Sequence, residues 1–202
     1  MHASHHLDSY LRPLPEGLES YPECEAKASI YRSAVAQLPK PLDLSQLHPG
    51  LVPYIEDPVP KSSWVPEVVN TAIYMAIADQ VFSNETAFLD WVEDIGARVF
   101  RSPMYRILMA VASPKRLASG GERRWGAFHR GTDYSVTIGE NGATTRIEFP
   151  PRLFSRLVLD ATARSIRAAY RASGADNAIY GVIESSQTHV VMRSVWFPDR
   201  EG

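Results

Sequence analysis

The sequence predicts an α+β fold, in which N-terminal helices pack against a C-terminal antiparallel β-meander and one long helix is inserted between strands. Apolar residues recur at helical spacing in the first part of the chain, and the period changes to two after Gly120 and Gly121. Helical spacing returns over about residues 151–172, and two more alternating segments follow. These changes of period define the predicted fold class.

The length and composition are those of one folded domain. The chain has 202 residues, of which 45% are hydrophobic and 22% charged. Both values lie near the globular average and exclude a wholly disordered or collagen-like chain. Residues 1–21 contain two prolines and three histidines without sustained periodicity. We therefore expect a flexible N-terminal arm over residues 1–21 and a single α+β domain over residues 22–202.

Four segments are predicted in the N-terminal half. The six prolines of the second segment exclude a long helix or a central strand there. The third is apolar on nearly every side, which predicts a buried helix, and Ser83 or Asn84 can cap the fourth. The segments are a helix over 22–38, a connector over 39–60, a helix over 66–82 and a helix over 84–100.

The C-terminal half begins with two short predicted helices. Ser102 precedes Pro103 and Ser113 precedes Pro114, so that a capping hydroxyl stands before a proline at the first helical position each time. Alternating segments then predict strands, with a hairpin turn at residues 140–142. The predicted elements are strands over 125–131, 133–140 and 143–149, a long helix over about 151–172 that Gly174 ends, and strands over 178–185 and 189–197.

The charges are unevenly distributed along the chain. Residues 1–97 contain 5 Lys and Arg against 14 Asp and Glu, whereas residues 98–171 contain 14 against 5. The whole-chain isoelectric point of about 6.3 excludes a dedicated nucleic-acid-binding protein. Five arginines form a strip on the long helix, either as a solvated face that closes against the acidic half or as a surface for an anion or an acidic partner. They are Arg152, Arg156, Arg164, Arg167 and Arg171.

The common enzyme signatures are absent, and we assign no catalytic residue. The sequence has no phosphate-binding glycine-rich loop, no G-x-S-x-G elbow and no paired-histidine zinc motif. Cys24 is the only cysteine, which excludes an intramolecular disulfide and a thiolate metal site within one chain and favours a cytoplasmic location. No window approaches 18 consecutive apolar residues, so no membrane span is predicted. We expect neither a metal nor a cofactor.

The remaining candidates are histidines and large apolar side chains. His48, His129 and His189 are interpreted as satisfied or solvent-facing side chains rather than ligands, and the N-terminal histidines have no fixed geometry. Seven apolar residues could line a pocket between helices and sheet, although such side chains are more often simply core. They are Trp64, Met75, Trp91, Trp125, Phe128, Phe154 and Trp196.

Short motifs along residues 25–197 resemble a known family. They are a first helix containing L-P, W-x-P at Trp64–Pro66, G-A-R-V-F-R at Gly96–Arg101, R-G-T at Arg130–Thr132 and a closing V-W at Val195–Trp196. This pattern resembles a paralogous family of myxobacterial proteins of roughly 200 residues. That family is distantly similar to the 4-vinyl reductase domain, the TRAPP small-subunit fold and the haem-nitric-oxide-binding sensors.

The resemblance implies helices against an antiparallel sheet, a small apolar ligand and dimerisation. Two features depart from the distant relatives, because their cysteine cluster is missing and Tyr134–Thr137 does not reproduce the Y-x-S-x-R haem signature. The first hypothesis is therefore a non-catalytic cytoplasmic sensory module that binds a small, largely apolar ligand with an anionic head met by arginine. The alternative is a homodimeric scaffold or adaptor, in which acidic and basic surfaces dock on each other or on a signalling partner.

Overall fold

The computed structural model describes residues 5–101, 113–175 and 178–196. In these ranges the chain forms eight α-helices and two antiparallel sheets, which confirms the predicted α+β class. The helix predicted to start at Pro103 lies outside the described residues. The helices are α1 (His5–Leu11), α2 (Ser29–Val35), α3 (Val52–Glu56), α4 (Glu67–Val81), α5 (Glu85–Arg101), α6 (Pro114–Ser119), α7 (Gly121–Phe128) and α8 (Arg156–Ala172). The strands are β1 (Glu25–Lys27), β2 (Trp64–Pro66), β3 (His129–Arg130), β4 (Asp133–Ile138), β5 (Gly142–Glu148), β6 (Ile179–Ser185) and β7 (His189–Val195).

Helix α4 lies at the centre of the core. Eleven of its 15 residues are buried, among them Ile73 and Ile77 at 0% exposure. It contacts α1, α2, α8 and the small sheet, so its lack of a polar face agrees with the predicted buried helix. Two predicted caps are also confirmed: the Asn84 side chain accepts a hydrogen bond from the Ala87 amide at the start of α5, and the Ser113 hydroxyl accepts one from the Arg116 amide at the start of α6.

The small sheet, in the order β2-β1-β3, overturns two predictions. Residues 22–38 do not form one helix, because the chain is extended at β1 and becomes helical only at Ser29. Residues 125–131 do not open the meander, because α7 continues to Phe128 and β3 pairs with β1 instead of β4. These strands are two or three residues long, and their hydrogen bonds come from distant parts of the chain, so no local period reveals them.

The second sheet has the order β4-β5-β7-β6. The predicted hairpin between β4 and β5 is confirmed, and the Gly139 amide donates to the Gly142 carbonyl at 2.8 Å. Helix α8 connects β5 to β6 and packs on β6 and on α5, while α6 and α7 cover β4. The buried side chains of β5 alternate, as expected for a sheet with one covered face; they are Ala143, Thr145 and Ile147.

Helix α8 begins later than the predicted residue 151. Arg152 has a φ of +66°, a left-handed conformation that cannot continue a helix, and Ser155 caps α8 by accepting a hydrogen bond from the Val158 amide. The helix ends as predicted, because Gly174 has a φ of +89°.

The N-terminal segment, for which the sequence predicts a flexible arm, packs against the core through α1. Asp79 near the end of α4 accepts hydrogen bonds at 3.0 Å from the backbone amides of His6 and Leu7. A carboxylate there satisfies free N–H groups at the start of α1 and opposes the positive end of its dipole. Three apolar side chains of this segment are buried: Leu7, Tyr10 and Leu14.

Removing the Asp79 carboxylate tests this attachment. We expect Asp79→Ala to release α1 and to lower the free energy of unfolding by about 1–2 kcal/mol, the usual value of a helix cap. Hydrogen exchange at the amides of residues 6–11 should accelerate. Asp57→Ala, which removes an exposed carboxylate at the end of α3, is the control and should change neither quantity. Unchanged exchange in Asp79→Ala would contradict the capping role.

Candidate functional site

The structure distributes the seven predicted pocket residues over separate places. Of the seven residues, only Trp125 and Phe154 form an aromatic ring contact with each other, and the centroids of their rings lie 6.4 Å apart. Trp91 packs on Phe82 and Phe88 instead. Trp196 stacks on Tyr170, and Met75 is buried within α4, where its sulfur accepts a hydrogen bond from the Ser155 hydroxyl. These side chains do not converge on one pocket in the described part of the chain.

Two of the seven lie at the surface. Trp64 projects from the outer face of the small sheet, where the Lys27 ammonium lies 3.9 Å and the Arg130 guanidinium 3.8 Å from the centre of its ring. These are cation–π contacts between neighbouring strands. Phe128 is 44% exposed at the end of α7. Neither residue faces the interior between helices and sheet.

The arginine strip is largely engaged within the chain. Arg164, Arg167 and Arg171 of α8 all contact the Glu93 carboxylate of α5, the first and third through bonds of 2.9 and 2.8 Å. Arg156 pairs with Asp160 four residues later. Thus the basic face of α8 packs against the acidic helix α5. This agrees with the first interpretation of the strip, in which it closes against the acidic half of the chain. The fifth arginine, Arg152, is exposed in the loop before α8.

This clustering changes the ionisation of Glu93. Burial by itself would raise the pKa of its carboxyl, but hydrogen bonds from Arg167 and Arg164, together with the nearby charge of Arg171, hold the pKa below the ordinary value. Only 14% of the Glu93 side chain is exposed, so solvent screens these interactions weakly.

Among the residues that the structure describes, Glu67, at the start of α4, is the most deeply buried carboxyl, with 0% exposure. One carboxylate oxygen lies 2.7 Å from Nδ1 of His129, and the other accepts a hydrogen bond of 2.9 Å from the Asn70 amide. His129 is on the inner face of the small sheet, and its ring stacks on Trp125 at 3.8 Å between centroids. The Trp125 indole N–H donates in turn to the Thr132 hydroxyl.

A carboxylate on Nδ1 orients an imidazole so that Nε2 can act on a substrate or a metal. No group of three or more His, Cys, Asp or Glu side chains within the described ranges is placed to hold a metal ion. The bond to Glu67 agrees with the interpretation of His129 as a satisfied side chain. We therefore interpret the Glu67–His129 pair as a polar contact that joins β3 to α4.

Cys24 lies beside this pair and is buried. Its thiol donates to the Gly131 carbonyl at 3.1 Å, and burial together with the carboxylates of Glu23 and Glu67 raises the pKa of the thiol to about 11. Such a thiol carries little thiolate at neutral pH and is a poor nucleophile. Gly131, of the R-G-T motif, has a φ of +71°, and a Cβ there would lie 2.5 Å from the Glu23 carbonyl, so this crossing requires glycine.

An open groove of about 610 Å³ lies between the N-terminal segment, the proline-rich connector and the start of α4. This volume is within the range of small-molecule sites. The apolar part of its wall comes from prolines, Leu18 and Val69, and its ionisable side chains are two carboxylates, a histidine and a tyrosine. The lining residues are Glu16, Gly17, Leu18, Glu19, Pro22, His48, Gly50, Tyr54, Pro66 and Val69.

The wall that residues 16–22 contribute is held in place by tyrosine hydroxyls. Tyr10 donates to the Leu153 carbonyl at 2.6 Å, and Tyr21 donates to the Pro151 carbonyl at 2.9 Å. Tyr21 has a φ of +57°, which is uncommon for a bulky residue and marks a backbone that its surroundings hold in place. The groove therefore has a defined wall on the side of the N-terminal segment.

The sequence pointed to neither Glu67 nor this groove. One signal could have identified Glu67, since it is the only acid in the first three turns of a helix that is otherwise apolar on nearly every side. No such signal exists for the groove, whose residues come from three separate parts of the chain.

Comparison with family models, with curated proteins and with solved structures found no match to this chain. No helix within the described ranges has both the length and the apolar character needed to cross a membrane.

The Glu93 cluster predicts a pH-dependent stability. Glu93→Gln should lower the free energy of unfolding at pH 7 by about 2 kcal/mol, since three guanidinium groups lose their charged partner. Because the folded-state pKa is depressed, this contribution is present above the ordinary carboxyl pKa of about 4.3 and is lost as the pH falls through the depressed value.

Urea unfolding between about pH 7 and pH 3 measures this effect. The difference between the wild type and Glu93→Gln should shrink as the pH falls. Asp94→Asn, an adjacent and exposed carboxylate on the same helix, is the matched control and should differ little from the wild type at every pH. A difference for Glu93→Gln that does not vary with pH would show that the ionised carboxylate is not what stabilises the contact.

Two histidine–glutamate pairs allow a comparison of buried and exposed contacts. His129→Ala leaves the fully buried Glu67 carboxyl without the imidazole and should cost about 3 kcal/mol of stability. His189→Ala removes the partner of Glu184, whose side chain is 62% exposed, and should cost less than about 1 kcal/mol. Chemical denaturation of both variants at pH 7 measures the two losses of unfolding free energy. Equal losses would show that the buried Glu67–His129 contact stabilises the fold no more than the exposed pair does.

Proposed function

We propose that this protein is a non-catalytic binding module, of the sensory or signalling type, that takes a small ligand in the groove beside residues 16–22. The observation that carries the proposal is the groove itself, a concave surface of ligand size whose wall is partly apolar and held in a strained conformation. The family resemblance, also a proposal, agrees with it, since the related sensor domains bind small apolar molecules.

We infer the ligand class from the chemistry of the residues that line the groove. Glu16 and Glu19 are carboxylates, whereas no arginine or lysine lines the groove. A ligand with an apolar body and a cationic or hydrogen-bond-donating head is therefore favoured over one with an anionic head. This differs from the expectation of an anionic head met by arginines, because the arginines that motivated it are largely paired with carboxylates on α5 and α8.

Binding accounts for the groove better than catalysis does. The Cys24 thiol is buried and donates to a backbone carbonyl, and the carboxyl of Glu67, the first residue of α4, is fully buried. A general base must come within hydrogen-bond distance of the proton that it removes. Glu67 has no exposed surface through which a substrate could reach it.

A pair of similarly shaped small molecules tests the proposal. Protein-observed NMR should show saturable amide shifts at Leu18, Gly50 and Val69 with 2-phenylethylamine, and weaker shifts with 3-phenylpropionate, because the groove presents carboxylates. The double variant Glu16→Gln with Glu19→Gln should weaken amine binding by about tenfold, equivalent to about 1.4 kcal/mol. Absence of saturable shifts at these amides, or preference for the carboxylate, would refute the proposed ligand class.

A groove-filling variant provides the control for location. A Cβ at Gly50 would lie 2.7 Å from the end of the flexible Leu18 side chain, so Gly50→Leu should fill the groove and abolish binding without backbone strain. Gly126→Leu is matched, since a Cβ there meets nothing within 4 Å on the exposed side of α7. If Gly50→Leu bound the amine as the wild type does, the site would lie elsewhere.

A further inference from the structure

The exposed edge of the four-stranded sheet carries an unusual pair of side chains. Three large hydrophobic residues are exposed within the described ranges, and two of them, Ile179 at 62% and Ile183 at 54%, lie on β6. Strand β6 is at the end of the sheet and has β7 as its one strand neighbour among the described residues. The outer backbone N–H and C=O groups of such a strand form a row that another strand can complement.

Two of the features that commonly protect an edge strand are missing from β6. It contains no proline and no lysine, and its one charged residue, Glu184, lies near the end. A β-bulge between Val182 and Glu184 places Ile183 as an extra residue relative to β7. A bulge can itself turn an edge strand away from a partner; this one increases the local twist near the end of β6 and leaves both isoleucines on the surface.

The two isoleucines are arranged symmetrically about Gly181, two residues from each. When two copies of such a strand pair antiparallel about a two-fold axis at Gly181, Ile179 of one copy lies opposite Ile183 of the other, and this occurs twice. Antiparallel partners stand about 4.5–5.5 Å apart between Cα atoms, close enough for direct contact between the apolar side chains. An isologous contact of this kind requires one surface that complements itself, and β6 meets that requirement.

The neighbouring groups are compatible with this pairing. A Cβ at Gly181 meets nothing within 4 Å, so the face of the sheet beside Gly181 is open where the axis would pass. Glu184 would face Ala178 of the second copy rather than another acid, and it is already paired with His189 in its own chain. No like charges are brought directly opposite each other along the paired strands.

We propose that β6 pairs antiparallel with β6 of a second copy of this chain, forming a continuous eight-stranded sheet across a two-fold axis near Gly181. The proposal goes beyond the ligand groove and does not depend on it, because the groove residues lie in the N-terminal half of the chain. It also gives the scaffold hypothesis a specific interface, one based on backbone hydrogen bonds and isoleucines instead of acidic and basic surfaces.

Sedimentation velocity tests the association. At about 100 μM protein, which detects dissociation constants in the micromolar class, the wild type should sediment as a dimer. The double variant Ile179→Lys with Ile183→Lys should be monomeric, with an unchanged circular dichroism spectrum and a melting temperature that does not depend on protein concentration. Phe128→Lys makes the same kind of change at the third exposed hydrophobic residue and should remain dimeric. A monomeric wild type would overturn the proposal, as would a dimer that only Phe128→Lys dissociates.

A single engineered cysteine tests the pairing and its axis. The native Cys24 is buried and does not compete, so Gly181→Cys should form an intermolecular disulfide on mild oxidation, since residues opposite each other at the axis have the Cα spacing that a disulfide needs. Gly126→Cys, an exposed glycine on α7, is the matched control and should not cross-link efficiently. A wild-type dimer in which Gly181→Cys cross-links no better than Gly126→Cys would refute the two-fold pairing at β6. Neither experiment includes a ligand, so failure here leaves the groove proposal to its own test.

Discussion

The burial of α4 on nearly every side is the constraint on which the remaining structure depends. A helix with no solvated face must be surrounded, and α1, α2, the small sheet and α8 each cover part of it. It also contains one fully buried carboxyl, Glu67, which requires donors inside the core. Because those donors are Asn70 of the same helix and His129 of β3, the polar requirement of α4 determines where the small sheet lies.

The charge separation along the chain is explained in part by the packing of one helix on another. The acidic segment 1–97 and the basic segment 98–171 meet directly where α5 packs on α8, and Glu93 accepts bonds from three arginines of the partner helix. Segment totals count charges without regard to pairing, so they cannot distinguish an internal ion cluster from an open surface. In this chain a large part of the apparent dipole is an intramolecular contact that orients two helices.

The candidate functional surfaces follow from what this packing leaves uncovered. Most of the large aromatic side chains are used in the core, which is the ordinary role of such residues. The groove is instead built from three separate parts of the chain, around Pro22, Gly50 and Pro66, one of which is the N-terminal segment. Strand β6 is exposed because β7 returns between it and β5, so that the last hairpin presents its first strand at the edge.

The sequence by itself determined the elements that depend on local chemistry. Period and capping predicted α4, α5 and α6, the β4–β5 hairpin, α8 to within a few residues and the final two strands, because side-chain periodicity and the Ser-Pro and glycine signals act over one or two turns. Tertiary structure alone decided β1 and β3, the attachment of α1 through Asp79, the partner of Glu67 and the groove. Each of these depends on hydrogen bonds or contacts between residues far apart in the chain, and such partners exist only after the chain has folded.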